Sequence, residues 1–593
     1  MKKGNIFFTS LYGIIIGVVI SLIYCIAIYI YTALKSALLN AEFSAHVSVT
    51  EVIIAVGIPF VCYGVALLIT LISSILGRKA PVPSWWDKDN TGRSKDKRTA
   101  MDPPVPAIYL SRKPDGFTFG CHNGKYTRLM IDPQNIMHLL VIGSPGSWKS
   151  TTLENALLWN FNYADDEQKA TFFCFDIKPE LQRHCVRYDP YAENTNVKVI
   201  DPSSTSPAYW GFDVYRGLNS SSTDDEVEKR MDIIARTLIV SDGVGSDNTV
   251  FYQTAQNLLI GFLMYGYFQD KSFIDSMLQL MMVPLTDLLA EIMADKEMLS
   301  RHPKLRLILQ SYVGKTEQGD KLIMDSESTM RAELRIFGNK SVQYCLRDNP
   351  RKAAPEDLRH GISIFLALPD NLLAQYRAIF RMITELTINY LSSVPEWIRD
   401  NERPIIMLID EFGSIGHMAI EEPLARLRSR RVSIWLCVQG LSQLDATYQT
   451  TGRRSILTNC EATLLLSSRD DVTSKYFSNL AGQYRETKIT TSRNGLTGIN
   501  NKTSQQMSYE YRNIYDPSDI SKLRAEKKLI AFIDGSFFYI DKTPFFLIPT
   551  YKHLVDDITE QNDRAMRNYK CGTSPIPIIN DDADDENSQK EKK

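Results

Sequence analysis

The segment from Met137 to Thr151 constrains the fold of this chain more than any other. It reads MHLLVIGSPGSWKST, an apolar run followed by a loop of Gly, Ser and Pro and then by residues that can start a helix. This order predicts a buried strand, a tight loop and a helix start. Such a unit is typical of α/β proteins with a mainly parallel sheet.

Other short apolar runs predict the rest of the sheet. They are Ala170–Phe175, Val197–Ile200, Ile362–Leu368, Ile405–Ile409, Ser433–Val438, Thr463–Leu466 and Leu529–Ile533. Continuous apolar strands, separated by helical or loop stretches, indicate a buried and mainly parallel α/β sheet. Between residues 216 and 357 this pattern gives way to apolar residues at helical spacing, as in FYQTAQNLLIGFLMY. The spacing predicts an all-alpha domain inserted into the α/β domain.

The loop after the first strand nearly matches the phosphate-binding pattern GxxxxGK[ST]. In that pattern backbone N–H groups hold the phosphates, the lysine neutralises charge on the β- and γ-phosphates, and the hydroxyl binds Mg²⁺. We therefore predict ATP and Mg²⁺ as cofactors, with Ser150 as a metal ligand. The predicted nucleotide-binding residues are Gly143, Ser144, Pro145, Gly146, Ser147, Trp148, Lys149, Ser150 and Thr151. The alternative is a plain Gly/Ser turn between a strand and a helix.

Trp148 stands where the pattern has glycine. Glycine lets the backbone approach phosphate closely, and an indole takes up that space, although the N–H of residue 148 is kept. If φ at this residue is positive, the replacement costs about 1–2 kcal/mol. We expect weakened or reshaped nucleotide binding. The alternative is a docking scaffold that does not respond to nucleotide.

A second apolar strand, within Pro404–Glu411, ends in two carboxylates. This is the Walker B arrangement, in which Asp410 would hold Mg²⁺ through water and Glu411 would polarise the attacking water. Acidic residues at strand ends are also common as helix caps, which is the alternative for this pair. Its place downstream of the phosphate loop favours the catalytic interpretation.

Two uncharged runs lie near the N-terminus, Ile6 to Leu34 and Val52 to Gly77. Each exceeds the roughly 20 residues that cross a bilayer core, so we predict two transmembrane helices and contact with membrane lipid. A cleaved signal peptide is the alternative for the first run. Lys and Arg flank the outer ends of the pair, and residues 36–51 between the runs have none. Both termini and the main domain are therefore predicted to be cytoplasmic.

Charge and cysteine content exclude some classes of protein. The formal net charge of −2 excludes a generally basic nucleic-acid coat protein. The nine cysteines are scattered without a CxxC pair, which suits a reducing compartment and suggests no metal site on cysteine. The predicted domains are a membrane anchor (1–80), a linker with the first part of the nucleotide-binding domain (81–215), the helical insert (216–357), the second part of the nucleotide-binding domain (358–550) and a partly disordered tail (551–593).

Six segments extend these motifs into one recognisable set. They are FDIKPEL at 175–181, NTVFYQTA at 248–255, LIDEFGSIG at 408–416, LARLR at 424–428, VQGLSQL at 438–444 and DDVTSKYFSNLAG at 470–482. The set resembles the coupling proteins of type IV secretion systems, the TraG/TraD-like conjugation ATPases. The resemblance implies a RecA-like P-loop NTPase domain with an inserted all-alpha domain, assembled as a homo-hexamer under the inner membrane. A chromosome-segregation translocase of the FtsK kind is an alternative, but such proteins usually end in a winged-helix domain, for which the residues after Tyr551 are too few.

The resemblance also implies a function and two further site residues. The function is recruitment of relaxase-bound single-stranded DNA, or of a protein substrate, and its transfer to the membrane proteins of a secretion channel. Gln439 would sense the γ-phosphate, and Arg428 would reach the nucleotide of the neighbouring subunit, where a cation stabilises developing charge. As alternatives, Gln439 is a polar strand-end residue, and Arg428 belongs to a solvated basic face with Arg426, Arg430 and Arg431.

Overall fold

The structure, a computed structural model, describes Ile26 and residues 105–571 except 130–136, 191–194, 241–248, 314–316, 397–401 and 495–501. The two predicted transmembrane helices, apart from Ile26, lie outside the described residues. Among the residues that are described, no single helix has the length and apolar character to cross a bilayer. One bent pair, Phe273–Met282 with Leu285–Ala294, meets those two criteria together, with 120° between its parts.

The strands and helices are numbered here in chain order. The described strands are β1 Leu110–Ser111, β2 Phe117–His122, β3 Lys125–Leu129, β4 Leu139–Gly143, β5 Thr171–Ile177, β6 Val197–Ile200, β7 Gly211–Phe212, β8 Lys352–Ala353, β9 Ser363–Leu368, β10 Ile405–Ile409, β11 Val432–Val438, β12 Ala462–Ser467, β13 Gln483–Asn494, β14 Lys502–Asn513, β15 Lys528–Ile533 and β16 Ser536–Asp541. The described α-helices are α1 Lys149–Asn162, α2 Glu180–Cys185, α3 Asp224–Leu238, α4 Thr249–Phe268, α5 Phe273–Met282, α6 Leu285–Ala294, α7 Lys296–Arg301, α8 Pro303–Gln310, α9 Glu317–Leu334, α10 Lys340–Gln343, α11 Leu373–Ser393, α12 Glu421–Arg426, α13 Leu441–Asn459, α14 Asp471–Ala481, α15 Pro517–Lys522 and α16 Pro549–Cys571.

Twelve strands form the main sheet, in the order β1-β3-β2-β16-β15-β12-β4-β11-β10-β5-β9-β6. The seven strands from β12 to β6 are parallel, and the five from β1 to β15 are joined by antiparallel pairing. Each apolar run identified in the sequence forms one strand of this sheet, which confirms the α/β fold class. The strands β2, β3 and β16 were not predicted, because polar and partly exposed residues interrupt their apolar pattern.

Both faces of the sheet are buried, which explains why its central strands are apolar throughout. In β4, Leu140 and Ile142 pack in one hydrophobic core with Met231 of α3. Leu139 and Val141, which alternate with that pair along the strand, pack in a second core with Leu153 of α1. Because successive side chains of a strand point to opposite faces, a strand between two cores needs apolar residues at every position.

Helices occupy the described residues between β7 and β8, in the segment predicted as an all-alpha insert. Helix α3 begins with a capping box, in which the Thr223 hydroxyl accepts from the Glu226 N–H and the Glu226 carboxylate accepts from the Thr223 N–H. The described helices α3 to α10 belong to the same compact unit as the described strands of the sheet. Helix α3 lies directly on α11.

The predicted boundary between residues 550 and 551 does not mark the end of the globular part. Helix α16 crosses it and buries Tyr551, Val555 and Ile558 in the second core. These three residues recur at a spacing of four and three, which places them on one face of the helix. The Asn562 side chain, one turn further on, donates to the carbonyl of Val186 at 2.8 Å. The packing of the sheet domain thus continues along α16 to Asn562.

Candidate phosphate-binding site

The predicted phosphate loop joins β4 to α1 at the carboxyl edge of the parallel strands. The Ser144 N–H donates to the Ser467 carbonyl at 3.1 Å, and the two serine hydroxyls lie 2.8 Å apart. The Ser147 N–H donates back to the Ser144 carbonyl at 3.1 Å and closes the turn, with Pro145 exposed at its tip. These bonds fix the loop to the end of β12.

The two glycines of the loop are needed for different reasons. A Cβ at Gly143 would lie 2.2 Å from the Ser147 hydroxyl oxygen, which is closer than atoms can approach. Gly146 has a φ of +70°, which glycine adopts without strain. The Ser147 hydroxyl is buried and has no hydrogen-bond partner among the described residues.

The loop lysine and serine meet the two carboxylates that follow β10. Lys149 Nζ donates to the Gly143 carbonyl at 3.0 Å and lies 3.6 Å from Glu411 Oε1. The Ser150 hydroxyl donates to Asp410 Oδ2 at 3.2 Å. The structure therefore brings together the four polar side chains that the sequence assigned to phosphate, Mg²⁺ and water.

Gln439 joins this group from β11, which lies between β4 and β10. Its side-chain N–H donates to Glu411 Oε2 at 3.0 Å. Glu411 has a φ of 49° and a ψ of 38°, a left-handed conformation, and its N–H donates to Asp410 Oδ1 at 2.9 Å. The Glu411 carboxylate is thus held between the Gln439 amide and the Lys149 ammonium group.

The chemistry of the site suits Mg²⁺. Asp410 is 5% exposed, and burial, with the Glu411 charge beside it, raises its pKa to about 6. A divalent cation would stabilise the ionised form. Mg²⁺ keeps several waters and binds through one or two protein oxygens together with substrate phosphates, and Ser150 with Asp410 supplies such oxygens. Among the described residues there is no group of three or more His, Cys, Asp or Glu that could hold a metal ion.

Trp148 adopts the backbone conformation expected of the glycine it replaces. Its φ is 73° and its ψ is 36°, and it precedes the first residue of α1. The Trp148 carbonyl accepts from the Thr151 hydroxyl at 3.1 Å. The indole, half-buried, packs edge-on against Phe546, with ring centroids 5.5 Å apart. The loop therefore keeps its shape, and the strain anticipated for a positive φ is present.

We expect the Trp148→Gly variant to be more stable than Trp148→Ala by about 1 kcal/mol. Both variants lose the Phe546 contact, but only alanine keeps a Cβ in the left-handed conformation. The measurement is the free energy of unfolding of the two full-length variants in urea. An alanine variant as stable as the glycine variant would show that residue 148 is not strained.

Arg428 lies apart from the other predicted site residues. It belongs to a short 3₁₀ helix before β11, and its guanidinium pairs with Glu461, which directly precedes β12. It also lies near His138, which precedes β4, and burial together with the Arg428 charge lowers the His138 pKa to about 4. Arg428 is therefore at the amino edge of the parallel strands, opposite the phosphate loop of its own chain.

Asp176 is a site residue that the sequence did not single out, although it lies in the segment FDIKPEL. It is the next-to-last residue of β5, which lies between β10 and β9, and it is completely buried. Its carboxyl oxygens accept from the N–H groups of Leu181 and Gln182 at 3.1 and 2.8 Å. Burial, with the charges of Asp410 and Glu154 nearby, raises its pKa to about 7.

The raised pKa of Asp176 should make stability depend on pH. The unfolded value is near 3.9, so the contribution of this carboxyl to stability is fully present below about pH 4 and is lost as pH rises through about 7. Between these pH values the carboxyl should make the unfolding free energy fall by up to about 1.4 kcal/mol per pH unit. In Asp176→Asn we expect this contribution to the slope to be absent. Unfolding of both proteins in urea at pH 4.5, 5.5 and 6.5 measures the slopes, and equal slopes would contradict the assignment.

A second chain segment borders the loop, and no motif in the sequence indicated this contact. It follows β16, where the Thr543 carbonyl accepts from the Asn155 side chain of α1 at 2.7 Å. Phe546, three residues later, contacts Trp148. Before β15, Arg524 lies beside Gly146. Arg524 and Phe546 thus border the loop from outside the Walker motifs.

Comparisons with known proteins place this arrangement in a family. The family described as type IV secretory system conjugative DNA transfer matches residues 90–568. Among solved structures, the unbound bacterial conjugative coupling protein TrwBdeltaN70 aligns at 12% identity with a TM-score of 0.53, over 75% of this chain and 90% of that chain. The plasmid coupling protein TrwB in complex with ADP and Mg²⁺ aligns at 13% identity with a TM-score of 0.53, over 76% and 92%. No curated protein sequence matches the chain.

Proposed function

This chain belongs to the type IV secretory system conjugative DNA transfer family, and we propose that it is the coupling ATPase of a conjugation or secretion channel. In this proposal it hydrolyses ATP to recruit and move relaxase-bound single-stranded DNA, or a protein substrate. The observation that supports it most is the convergence of Lys149, Ser150, Asp410, Glu411 and Gln439 on one edge of the sheet.

The contacts of these residues suggest how hydrolysis proceeds. Lys149 would exchange its hydrogen bond with the Gly143 carbonyl for bonds to the β- and γ-phosphates. Ser150 and Asp410 would hold Mg²⁺, which would supply neutralisation of charge on the phosphates. Glu411 accepts a proton from the attacking water as the bond between the β- and γ-phosphates breaks. Gln439, whose side-chain amide donates a hydrogen bond to Glu411 at 3.0 Å, would sense the γ-phosphate beside that carboxylate.

The test is steady-state ATP hydrolysis by the full-length protein with and without single-stranded DNA. We expect Mg²⁺-dependent turnover that rises when single-stranded DNA is added. Turnover that responds only to a protein substrate would favour protein transfer. Absence of hydrolysis under every condition would contradict the ATPase proposal.

A nucleotide-insensitive docking scaffold is the second candidate, and one observation favours it. Trp148 holds a strained left-handed conformation at a position where the motif has glycine. Equilibrium binding of a fluorescent ATP analogue to the full-length protein separates the two functions. Tight Mg²⁺-dependent binding would exclude the scaffold.

We propose further that the protein is anchored in the inner membrane by residues 6–34 and 52–77, with both termini and the main domain cytoplasmic. Both runs lack charged residues and have positive charge at their outer ends. Under this proposal the protein resists extraction from membranes by high salt and is released by detergent. Release by salt alone would contradict the anchor.

We also propose that the protein forms a homo-hexameric ring. This ring would deliver substrate to membrane proteins of the channel. The position of Arg428 supports it, because head-to-tail contacts place one edge of each subunit against the opposite edge of the next. Arg428 would then face a neighbour's phosphate loop instead of its own. Mixed rings of Arg428→Ala and Glu411→Gln subunits should regain some hydrolysis, and rings that form without any recovery would contradict this role.

A further inference from the structure

Arg524 occupies the space above the tip of the phosphate loop. A Cβ built on Gly146 would lie 2.8 Å from Arg524 Nη2 and 3.2 Å from its Cζ. The guanidinium therefore stands where a side chain of residue 146 would otherwise be. None of the described carboxylates pairs with Arg524, and no described group hydrogen-bonds its guanidinium.

Lys542 is a second cation in the same region, and it is buried. It directly follows β16, is 4% exposed, and its N–H donates to the Lys527 carbonyl at 2.9 Å. Burial, together with the Arg524 charge, lowers its pKa to about 8. No described acidic side chain pairs with Lys542. A buried cation that lacks a counter-charge is unfavourable, and an anion bound near it would offset that cost.

Arg524 lies against Gly146 of the loop, and Lys542 is connected to the region through its chain neighbour. Thr543, the next residue after Lys542, is bonded to Asn155 of α1. The N-terminus of α1 and the N–H groups of the loop form the anion-binding end of a helix. A pair of cations placed beside such an end adds positive potential where phosphate groups already bind.

We propose that Arg524 and Lys542 bind the phosphates of the nucleoside di- or triphosphate held by the loop. The inference rests on the proposed nucleotide-binding function of this loop. The guanidinium contributes hydrogen-bond donors suited to phosphate oxygens, and the ammonium group contributes charge. Phosphate binding also supplies the counter-charge that Lys542 lacks in the protein alone.

This arrangement gives the two residues an effect that depends on the number of phosphates. Adenosine, which has none, gains nothing from them, whereas ADP and ATP gain charge-assisted bonds. It also means that the charge of Lys542 destabilises the free protein but stabilises the nucleotide-bound protein. Removing its charge relieves the unpaired buried cation in the free protein and removes a phosphate contact in the bound one.

The test uses the full-length protein and its Arg524→Ala and Lys542→Met variants. Isothermal titration with Mg·ADP should show about tenfold weaker binding in each variant, while the response to adenosine is unchanged. Arg564→Ala is the matched control, because Arg564 is an exposed arginine paired with Glu560 on α16. Its affinity for ADP should equal that of the wild type.

Thermal unfolding is a second measurement, and its expected result differs from the one expected for a lysine with a purely structural role. We expect the free Lys542→Met protein to melt at or above the wild-type temperature, and the ADP-induced rise in Tm to be smaller than in the wild type. If the wild type binds ADP and both variants bind it equally well, the inference is overturned and the proposed function stands. If the wild type binds no ADP, both are overturned. A Lys542→Met protein that melts below the wild type without ligand would also overturn the role of Lys542.

Discussion

Replacing Glu411 by Gln should reduce ATP turnover at least about 100-fold while ATP stays bound. General base catalysis contributes about 10²–10⁴-fold in rate, and the amide keeps the shape of the carboxylate but cannot take a proton from water. The substitution also removes the acidic partner that lies 3.6 Å from Lys149 Nζ. Lys149 is then freer to bind phosphate, so affinity for ATP should be unchanged or higher.

Phosphate release and equilibrium ATP binding, measured on the same preparation, test this separation of turnover from affinity. Glu422→Gln is the control, because Glu422 is an exposed carboxylate that pairs with Arg426 on α12 at 2.6 Å. Its turnover and affinity should match the wild type. If Glu411→Gln hydrolyses ATP at the wild-type rate, the Walker B assignment of Glu411 is wrong.

Replacing Lys149 by Ala should have the opposite profile, with nucleotide affinity lost first. At an effective dielectric constant of 20, two unit charges at 4 Å interact by about 4 kcal/mol, so a loss of at least about 100-fold in affinity for Mg·ADP is expected. Lys149 is 7% exposed and donates to the Gly143 carbonyl. The deletion therefore removes the main buried cation of the loop and leaves Glu411 without its positive neighbour.

Titration calorimetry with Mg·ADP measures the loss, and the melting temperature without ligand shows whether the variant is folded. Lys169→Ala is the control, since Lys169 pairs with Asp166 near the surface at 3.1 Å. A folded Lys149→Ala protein that binds ADP as the wild type does would show that this loop is not a phosphate site.

The central sheet and the two Walker segments were predictable because their signals are local. A strand such as β10, buried on both faces, needs an unbroken apolar run, and its terminal Asp410 and Glu411 follow directly in sequence. The loop of β4 likewise carries its glycines, Lys149 and Ser150 within a few residues. Parallel pairing then brings both sets to the same edge, so their meeting follows from fold class.

The remaining features depend on pairings between distant residues. Arg524 approaches Gly146 only because β15 lies next to β12 in the sheet, and no spacing in the sequence indicates that neighbour. Asp176 is a strand-end acid like many others until β5 is placed against β10. The left-handed φ of Trp148 is set by the loop that surrounds it. From the sequence alone, the strain could therefore be predicted only for the case in which φ is positive.

The strand order also determines when the phosphate loop can form during synthesis. Among the described strands, the partners of β4 are β11 and β12, which begin at Val432 and Ala462. At about 5–20 residues per second, a ribosome needs tens of seconds to pass from the loop to those strands. Until β11 has been made, β4 has no strand to pair with, Lys149 is not held near Glu411, and the nascent chain has no formed nucleotide pocket. A chain released before residue 432 should therefore be unable to capture ATP.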